Sequence, residues 1–275
     1  MKKKIALLVA MTMVMGMTLT GCGEKPAASS AASSSDAVVE DAVVYAVEAG
    51  SAGEAAAEDN GFTFNSVNTQ ADALMEVAAG TSDAAIIDLL MAGAMIGEGT
   101  SYPDLVYTDK LTTEEYGVGC RKGSDLPSFI NAVFAETYDS GAMKMVAENY
   151  GVQESLVEQP ASAFAPAEDS DVAYIQDKGT FLVGITDFAP MDYQNEAGDW
   201  VGFDADMARI VAQELGVEIE FVVIDWDSKI MELDSKNIDA VWNGMTLTDE
   251  VKAAMDCSNP YCNNAQVVVV PATAE

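Results

Sequence analysis

One pattern occurs twice in this chain. The first copy runs Leu74-Met75-Glu76 and then Gly80-Thr81-Ser82-Asp83-Ala84-Ala85-Ile86-Ile87-Asp88. The second runs Ile230-Met231-Glu232 and then Ser235-Lys236-Asn237-Ile238-Asp239-Ala240-Val241-Trp242-Asn243-Gly244. In both, Met-Glu precedes Asp-Ala by eight residues. Each copy reads as the end of a helix, a short polar turn and an apolar strand. Two copies of one helix-to-strand unit imply two similar α/β lobes. Ligands of open α/β sheets sit beyond the carboxyl ends of strands. Asp88 and Gly244, each five residues after its Asp-Ala pair, are therefore expected to face each other across a cleft.

The chain begins with a targeting segment. Lys2, Lys3 and Lys4 precede an uncharged, Met-rich apolar run from Ile5 to Thr20. A basic start followed by a short apolar region is the grammar of a secretory signal, and the run falls short of the roughly 20 residues of a membrane span. Small residues just before Cys22 resemble a bacterial lipoprotein cleavage box, which makes 1–21 the signal peptide and Cys22 the lipidated residue. An ordinary signal or a short anchor is the competing reading. Residues 22–41, rich in Ala and Ser, have no apolar periodicity and read as a flexible tether.

The net charge is −32. Without the three leader lysines ten bases face 45 acids, a net −35, which disfavours nucleic acid and anionic lipid as partners. The chain has no histidine, so a zinc site is not expected, and no cofactor is. Cys120, Cys257 and Cys262 remain after Cys22; the last two are close enough to pair, or all three are buried free thiols.

Further along, Val43 to Val47 is a strand candidate. Gly50-Ser51-Ala52-Gly53 then opens an Ala-rich helix whose N-terminus can hold an anion. Thr69 and Asp72 form a helix cap before Leu74, Val77 and Ala78. Helices are expected over 126–138 and 141–149, with Phe129, Val133 and Phe134 as core. Residues 153–171 are rich in Pro, Ala, Ser and acid and read as an internal linker, since Pro160 and Pro166 forbid a continuous helix. A second α/β series follows: strand 180–185, helix 202–215 closed by Gly216, strand 217–224, helix 228–233, strand 238–242 and strand 266–270.

Several segments of this series come in a familiar order. They are Val183-Gly184-Ile185-Thr186-Asp187, Ala189-Pro190-Met191-Asp192-Tyr193, Gly202-Phe203-Asp204-Ala205-Asp206, Asp225-Trp226, Asn243-Gly244-Met245-Thr246-Leu247-Thr248-Asp249-Glu250 and Asn259-Pro260-Tyr261. Together they resemble the first lobe of family 3 extracellular solute-binding proteins, the amino-acid-binding components of ABC importers. Gly50 to Glu54, Asp83 to Asp88 and Tyr116 to Tyr150 resemble the rest of the family. The resemblance implies a two-lobed, type II periplasmic-binding-protein-like α/β fold with a ligand cleft between the lobes. The order is rotated, so the chain resembles a circular permutant. The expected organisation is lobe 2 over 42–115, the C-terminal helices of lobe 1 over 116–152, a permutation linker over 153–171 and the main part of lobe 1 over 172–271. One covalent crossover between lobes is expected to survive, near Glu115 to Gly117.

Carried over residue by residue, the resemblance implies Thr186, Asp187 and Phe188 as the first-lobe wall, and Trp226 as an aromatic packed on ligand. Asn243, Gly244 and Thr246 would donate or accept hydrogen bonds, Ser51 would contact a carboxylate, and Asp88 would receive an α-ammonium. Trp226 also suits a core, and Asp88 a helix cap. Relatives that bind amino acids place an Arg after Thr-Asp-Glu to pair with the α-carboxylate; here Thr248-Asp249-Glu250 is followed by Val251, and Lys252 points elsewhere. Glu48 lies near a position that can be basic in relatives. The ligand is thus an amino acid held by backbone donors, or a cation lacking a carboxylate.

The implied protein is a monomer, lipid-anchored to the outside of a bacterial cell membrane. It would deliver an amino acid or related amine to an ABC permease by lobe closure, with no catalytic residue. A sensor that signals without transport, or a small-molecule dehydratase on the same fold, are the alternatives.

Overall fold

The structure, a computed structural model, describes residues 42–272; the expected signal segment 1–21 and the whole tether 22–41, Cys22 included, lie outside them. The chain first lays down β1 (Val44–Glu48), α1 (Ala52–Asn60), β2 (Thr63–Val67), α2 (Gln70–Ala79), β3 (Ala84–Asp88), α3 (Leu89–Met95) and β4 (Leu105–Lys110). It then passes through β5 (Glu114–Tyr116) into β6 (Gly119–Cys120), α4 (Leu126–Ser140), α5 (Ala142–Asn149), α6 (Asp171–Lys178) and β7 (Thr180–Ile185). A small hairpin, β8 (Tyr193–Gln194) and β9 (Trp200–Val201), precedes α7 (Phe203–Leu215), β10 (Glu218–Val223), α8 (Lys229–Asp234), β11 (Ala240–Val241), α9 (Asp249–Ala254) and β12 (Asp256–Cys257). The chain leaves through β13 (Cys262–Asn264) into β14 (Gln266–Pro271).

These strands form two five-stranded sheets, ordered β2-β1-β3-β14-β4 and β10-β7-β11-β6-β12. In each, three parallel strands carry an antiparallel pair at one side: β14 and β4 in the first sheet, β6 and β12 in the second. The fold is the expected two-lobed α/β arrangement, with the two lobes joined by the antiparallel pair β5 and β13 (Tyr116 opposite Cys262).

The repeated pattern has one structural cause in both lobes. α2 ends on Gly80 at φ 72°, and the turn after α8 contains Lys236 at φ 59°, the left-handed backbone that reverses a helix into a strand. The carbonyl of Glu76 accepts the amides of Thr81 and Ser82; the carbonyl of Glu232 accepts those of Asn237 and Ile238 at the same offsets. Asp83 then reaches the neighbouring strand, its carboxylate accepting from Val44 N at 2.8 Å while its own N donates to Val44 O. Asp239 does the same with Leu182, at 2.9 Å and 2.7 Å. The repeated spacing is therefore a helix-ending turn plus a carboxylate that registers the next parallel strand. The copies differ in burial. Asp239 is fully buried and also pairs with Arg121 at 3.4 Å and Lys178 at 2.6 Å, whereas Asp83 is exposed.

Two expectations about organisation change. β14 lies between β3 and β4, so the stretch 172–271 is not one lobe; its last strand completes the sheet of the first residues. A run such as Val267 to Val270 fits any central strand, and its apolar pattern does not say which sheet it joins. The chain accordingly passes between lobes twice, through β5 and β13, and not once near Glu115 to Gly117. The 153–171 stretch is pinned along its length. Val157 N donates to Tyr261 O, Phe164 stacks edge-on against Phe129 at 5.3 Å, and Asp125 accepts from Ala167 N and Ser170 Oγ. Ser170 caps α6, which begins at the linker's end. Cys120, Cys257 and Cys262 are free thiols.

Candidate functional site

A cavity of about 390 Å³ lies between the two lobes, at the carboxyl ends of β1, β3 and β11. From the first lobe in the chain come Glu48 at the end of β1, Gly50 to Ala52 at the start of α1, Gln70 of α2 and Asp88 at the end of β3. From the other come Trp226 and Asp227 of a 3-10 turn, Lys229 of α8, Asn243 to Thr246 after β11, and the Thr248 to Val251 turn that opens α9. The duplicated unit thus delivers Asp88 and Gly244 to opposite walls of one cavity.

The start of α1 is shaped by a reciprocal cap. Ser51 Oγ accepts from Glu54 N at 3.1 Å, and the Glu54 carboxylate accepts from Gly50 N at 2.7 Å. The first-turn amides of Ala52 and Gly53 have no acceptor inside the helix, and of the two residues Ala52 lines the cavity. On the facing wall Gly244 adopts φ 57°, and a Cβ there would lie 2.2 Å from Phe188 Cε1. Its N–H donates to Asp204 Oδ2 at 2.7 Å, so a buried carboxylate behind the wall sets this peptide's direction.

Six of the expected site residues line the cavity: Ser51, Asp88, Trp226, Asn243, Gly244 and Thr246. Thr186, Asp187 and Phe188 do not. Thr186 is buried behind the wall, where its N donates to Asn243 Oδ1 at 2.9 Å and its Oγ1 accepts from Asn243 Nδ2 at 2.7 Å. It therefore orients Asn243 and takes up one of its two N–H donors and one of its two carbonyl lone pairs. Phe188 is a buried support beneath Gly244, and Asp187 is exposed, away from the cavity. Val251, where an Arg was expected, presents an apolar side chain to the cavity.

Asp88 is heavily engaged. Its Oδ1 accepts from Tyr116 Oη at 2.7 Å, from Gln266 Nε2 at 3.0 Å and from Asn264 Nδ2; its Oδ2 accepts from Gln70 Nε2. Tyr116 and Asn264 belong to the two crossover strands, so this carboxyl ties the hinge to β3. Burial, then Glu114, pushes its pKa up to about 7 against the pull of the Tyr116, Gln70 and Gln266 hydrogen bonds.

Glu48 is different. It is 3% exposed, its Oε2 meets only Gln70 Nε2 at 3.5 Å, and its Oε1 has no hydrogen-bond partner among the described residues. Burial, then the neighbouring Asp88, raises its pKa to about 8. Lys229, 7% exposed, spans the cleft: its Nζ donates to Gly50 O at 2.8 Å and to Trp226 O at 3.2 Å, and it stands 4.9 Å from the Trp226 ring centre. Burial lowers its pKa, with Glu48 the largest opposing influence. Sequence reasoning did not place Gln70 or Lys229 in the site, and nothing in their surroundings along the chain marks them. Glu48 was visible as a charge two residues ahead of the Gly50-Ser51 turn.

Among the described lining residues seven carboxylates (Glu48, Glu54, Glu58, Asp88, Asp227, Asp249 and Glu250) face one lysine. The sequence model of bacterial extracellular solute-binding proteins, family 3, matches residues 182–275. Over those residues the chain is similar to family 3 solute-binding proteins. The matched segment runs from β7 to the chain's end and includes the Trp226 and Asn243 to Val251 walls of the cavity. The L-cystine-binding protein TcyJ of Escherichia coli K12 is 36% identical over 96 residues, 34% of this chain and 36% of that protein. The arginine-binding extracellular protein ArtP of Bacillus subtilis is 39% identical over 83 residues, 30% of this chain and 32% of its own length. A cyclohexadienyl dehydratase of Pseudomonas aeruginosa is 28% identical over 116 residues, 42% and 43% of the two chains. The chain thus spans between about a third and under a half of the length of these relatives, which include both binding proteins and an enzyme.

Proposed function

We propose that this protein is an extracytoplasmic solute-binding protein. It closes two lobes on a small amine-bearing amino acid or related amine and presents it to the permease of an ABC importer. In this reading Cys22 carries a lipid that tethers the protein to the membrane. The chain is a circular permutant, joined through 153–171 and cut between the strands now numbered β14 and β1.

The observation that carries this reading is the cavity itself. At about 390 Å³ it falls within the size of small-molecule sites, and its walls come from both lobes. Bending at the two crossover strands would open and close it, as in hinge closure around ligands. Its carboxylate excess favours a cationic group on the ligand, which agrees with the arginine-binding relative. The amide of Ala52, at the start of α1, is the donor suited to a carboxylate, in place of the missing Arg.

A thermal-shift panel of amino acids and amines tests the proposal, because a ligand that binds only the native state raises Tm. A saturable shift with a basic amino acid, the ligand being recovered unchanged by mass spectrometry, supports it. No shift with any member refutes it, and consumption of the ligand favours the dehydratase alternative.

A further inference from the structure

We propose that Glu48, not Asp88, receives the ligand's cationic group and sets the specificity of the cleft for a side-chain ammonium or guanidinium over its neutral isostere; this rests on the solute-binding reading above. Three observations point there. The two buried carboxyls of the cavity differ in what is left to bind with. Asp88 already accepts from four side chains, two of them on the crossover strands, so its oxygens serve the hinge. Glu48 is as buried, yet its Oε1 has no hydrogen-bond partner among the described residues, and it lines the cavity. A buried polar atom without a partner is costly, and a ligand donor is what would satisfy it.

The second observation is the surrounding charge. Asp88 lies beside Glu48 with Gln70 Nε2 between them, so a cation arriving at Glu48 is attracted by both carboxyls. The nearest positive side chain, Lys229, has two of its three donors committed to Gly50 O and Trp226 O and does not bond to Glu48. The third is the mouth of the cavity, where Glu58, Asp227, Asp249 and Glu250 are exposed. That rim attracts cations towards the buried carboxyls. A ligand whose side chain ends in a neutral amide would leave Glu48 either charged and unpaired or holding its own proton.

The test is isothermal titration of the full-length protein and of its Glu48→Gln variant with two isosteric pairs, arginine against citrulline and lysine against glutamine. For the unaltered protein the cationic member of at least one pair is expected to bind thirtyfold or more tightly than the neutral one. In Glu48→Gln that ratio is expected to fall to about threefold or less, with thermal melts showing the variant folded. An unchanged ratio in Glu48→Gln overturns the assignment while leaving the solute-binding reading standing. So does a neutral isostere that binds the unaltered protein as tightly as the cation. Absence of binding by all four probes overturns the assignment, and overturns the solute-binding reading as well only when the wider panel of amino acids and amines also gives no thermal shift.

Discussion

Replacing Glu48 by glutamine removes an ionisation that folding opposes. Burial and then Asp88 move this carboxyl from 4.5 to about 8. Between those values the folded chain keeps a proton that the unfolded chain has released. Below pH 4.5 both states hold the proton and the group contributes nothing to pH dependence. Above it the native state loses about 1.4 kcal/mol per pH unit, until the folded carboxyl itself ionises near pH 8. At pH 7 the accumulated cost is about 3 kcal/mol. Glutamine keeps the side chain's shape and an oxygen able to accept from Gln70, but it does not ionise. Unliganded Glu48→Gln is therefore expected to exceed the parent in stability by about 3 kcal/mol at pH 7 and by almost nothing near pH 4. At roughly 2–4 °C per kcal/mol for a chain of this size, the gain in Tm at pH 7 is about 6–12 °C. Thermal unfolding at pH 4, 5.5, 7 and 8 without ligand measures it. A gain independent of pH would show that this ionisation is not what folding opposes, and a loss at pH 7 that Glu48 is ionised and paired in the empty cleft; either would refute the reasoning.

Three further outcomes follow from the same geometry. Asp239→Ala should cost about 3–5 kcal/mol, because it leaves Arg121 and Lys178 without their shared buried partner; Asp83→Ala, the same position of the other repeat but exposed, should cost about 1 kcal/mol, and denaturant unfolding compares them. Gly244→Ala should abolish ligand binding and destabilise the fold by about 2 kcal/mol or more, since it forces a left-handed backbone on alanine and places its Cβ 2.2 Å from Phe188; titration and melting read both effects. Lys229→Met should weaken binding of the cognate ligand by about tenfold or more, through loss of the charged hydrogen bond to Gly50 O across the cleft, with a larger radius of gyration by small-angle scattering; unchanged affinity would show that this contact does not hold the lobes together.

The candidate site was partly legible before the fold was known. Asp88 and Gly244 follow from where the repeated strands end, while Asn243, Trp226, Thr246 and the site role of Ser51 came from the family resemblance. Thr186, Asp187 and Phe188 sit in an equally suggestive strand-end segment, yet the backbone turns Thr186 and Phe188 inward. There they hold Asn243 and Gly244 from behind. Gln70 and Lys229 carry no local signal, because their roles arise from partners 18 and 179 residues away.

The sequence by itself determined the local units. Helix caps, left-handed turns and Asp-Ala strand starts depend on residues within a few positions of one another, so the repeated helix-to-strand motif and the cleft-facing ends of its strands could be read directly. Only the tertiary structure decided which sheet β14 joins, that the chain crosses between lobes twice, and which buried carboxyl is left open. Strand partners are chosen by long-range packing that a short apolar run does not encode. The contrast between Asp88 and Glu48 has the same origin. Both are acids at strand ends, but Tyr116, Asn264 and Gln266 converge from the crossover strands and β14 on one and leave an oxygen of the other without a partner among the described residues.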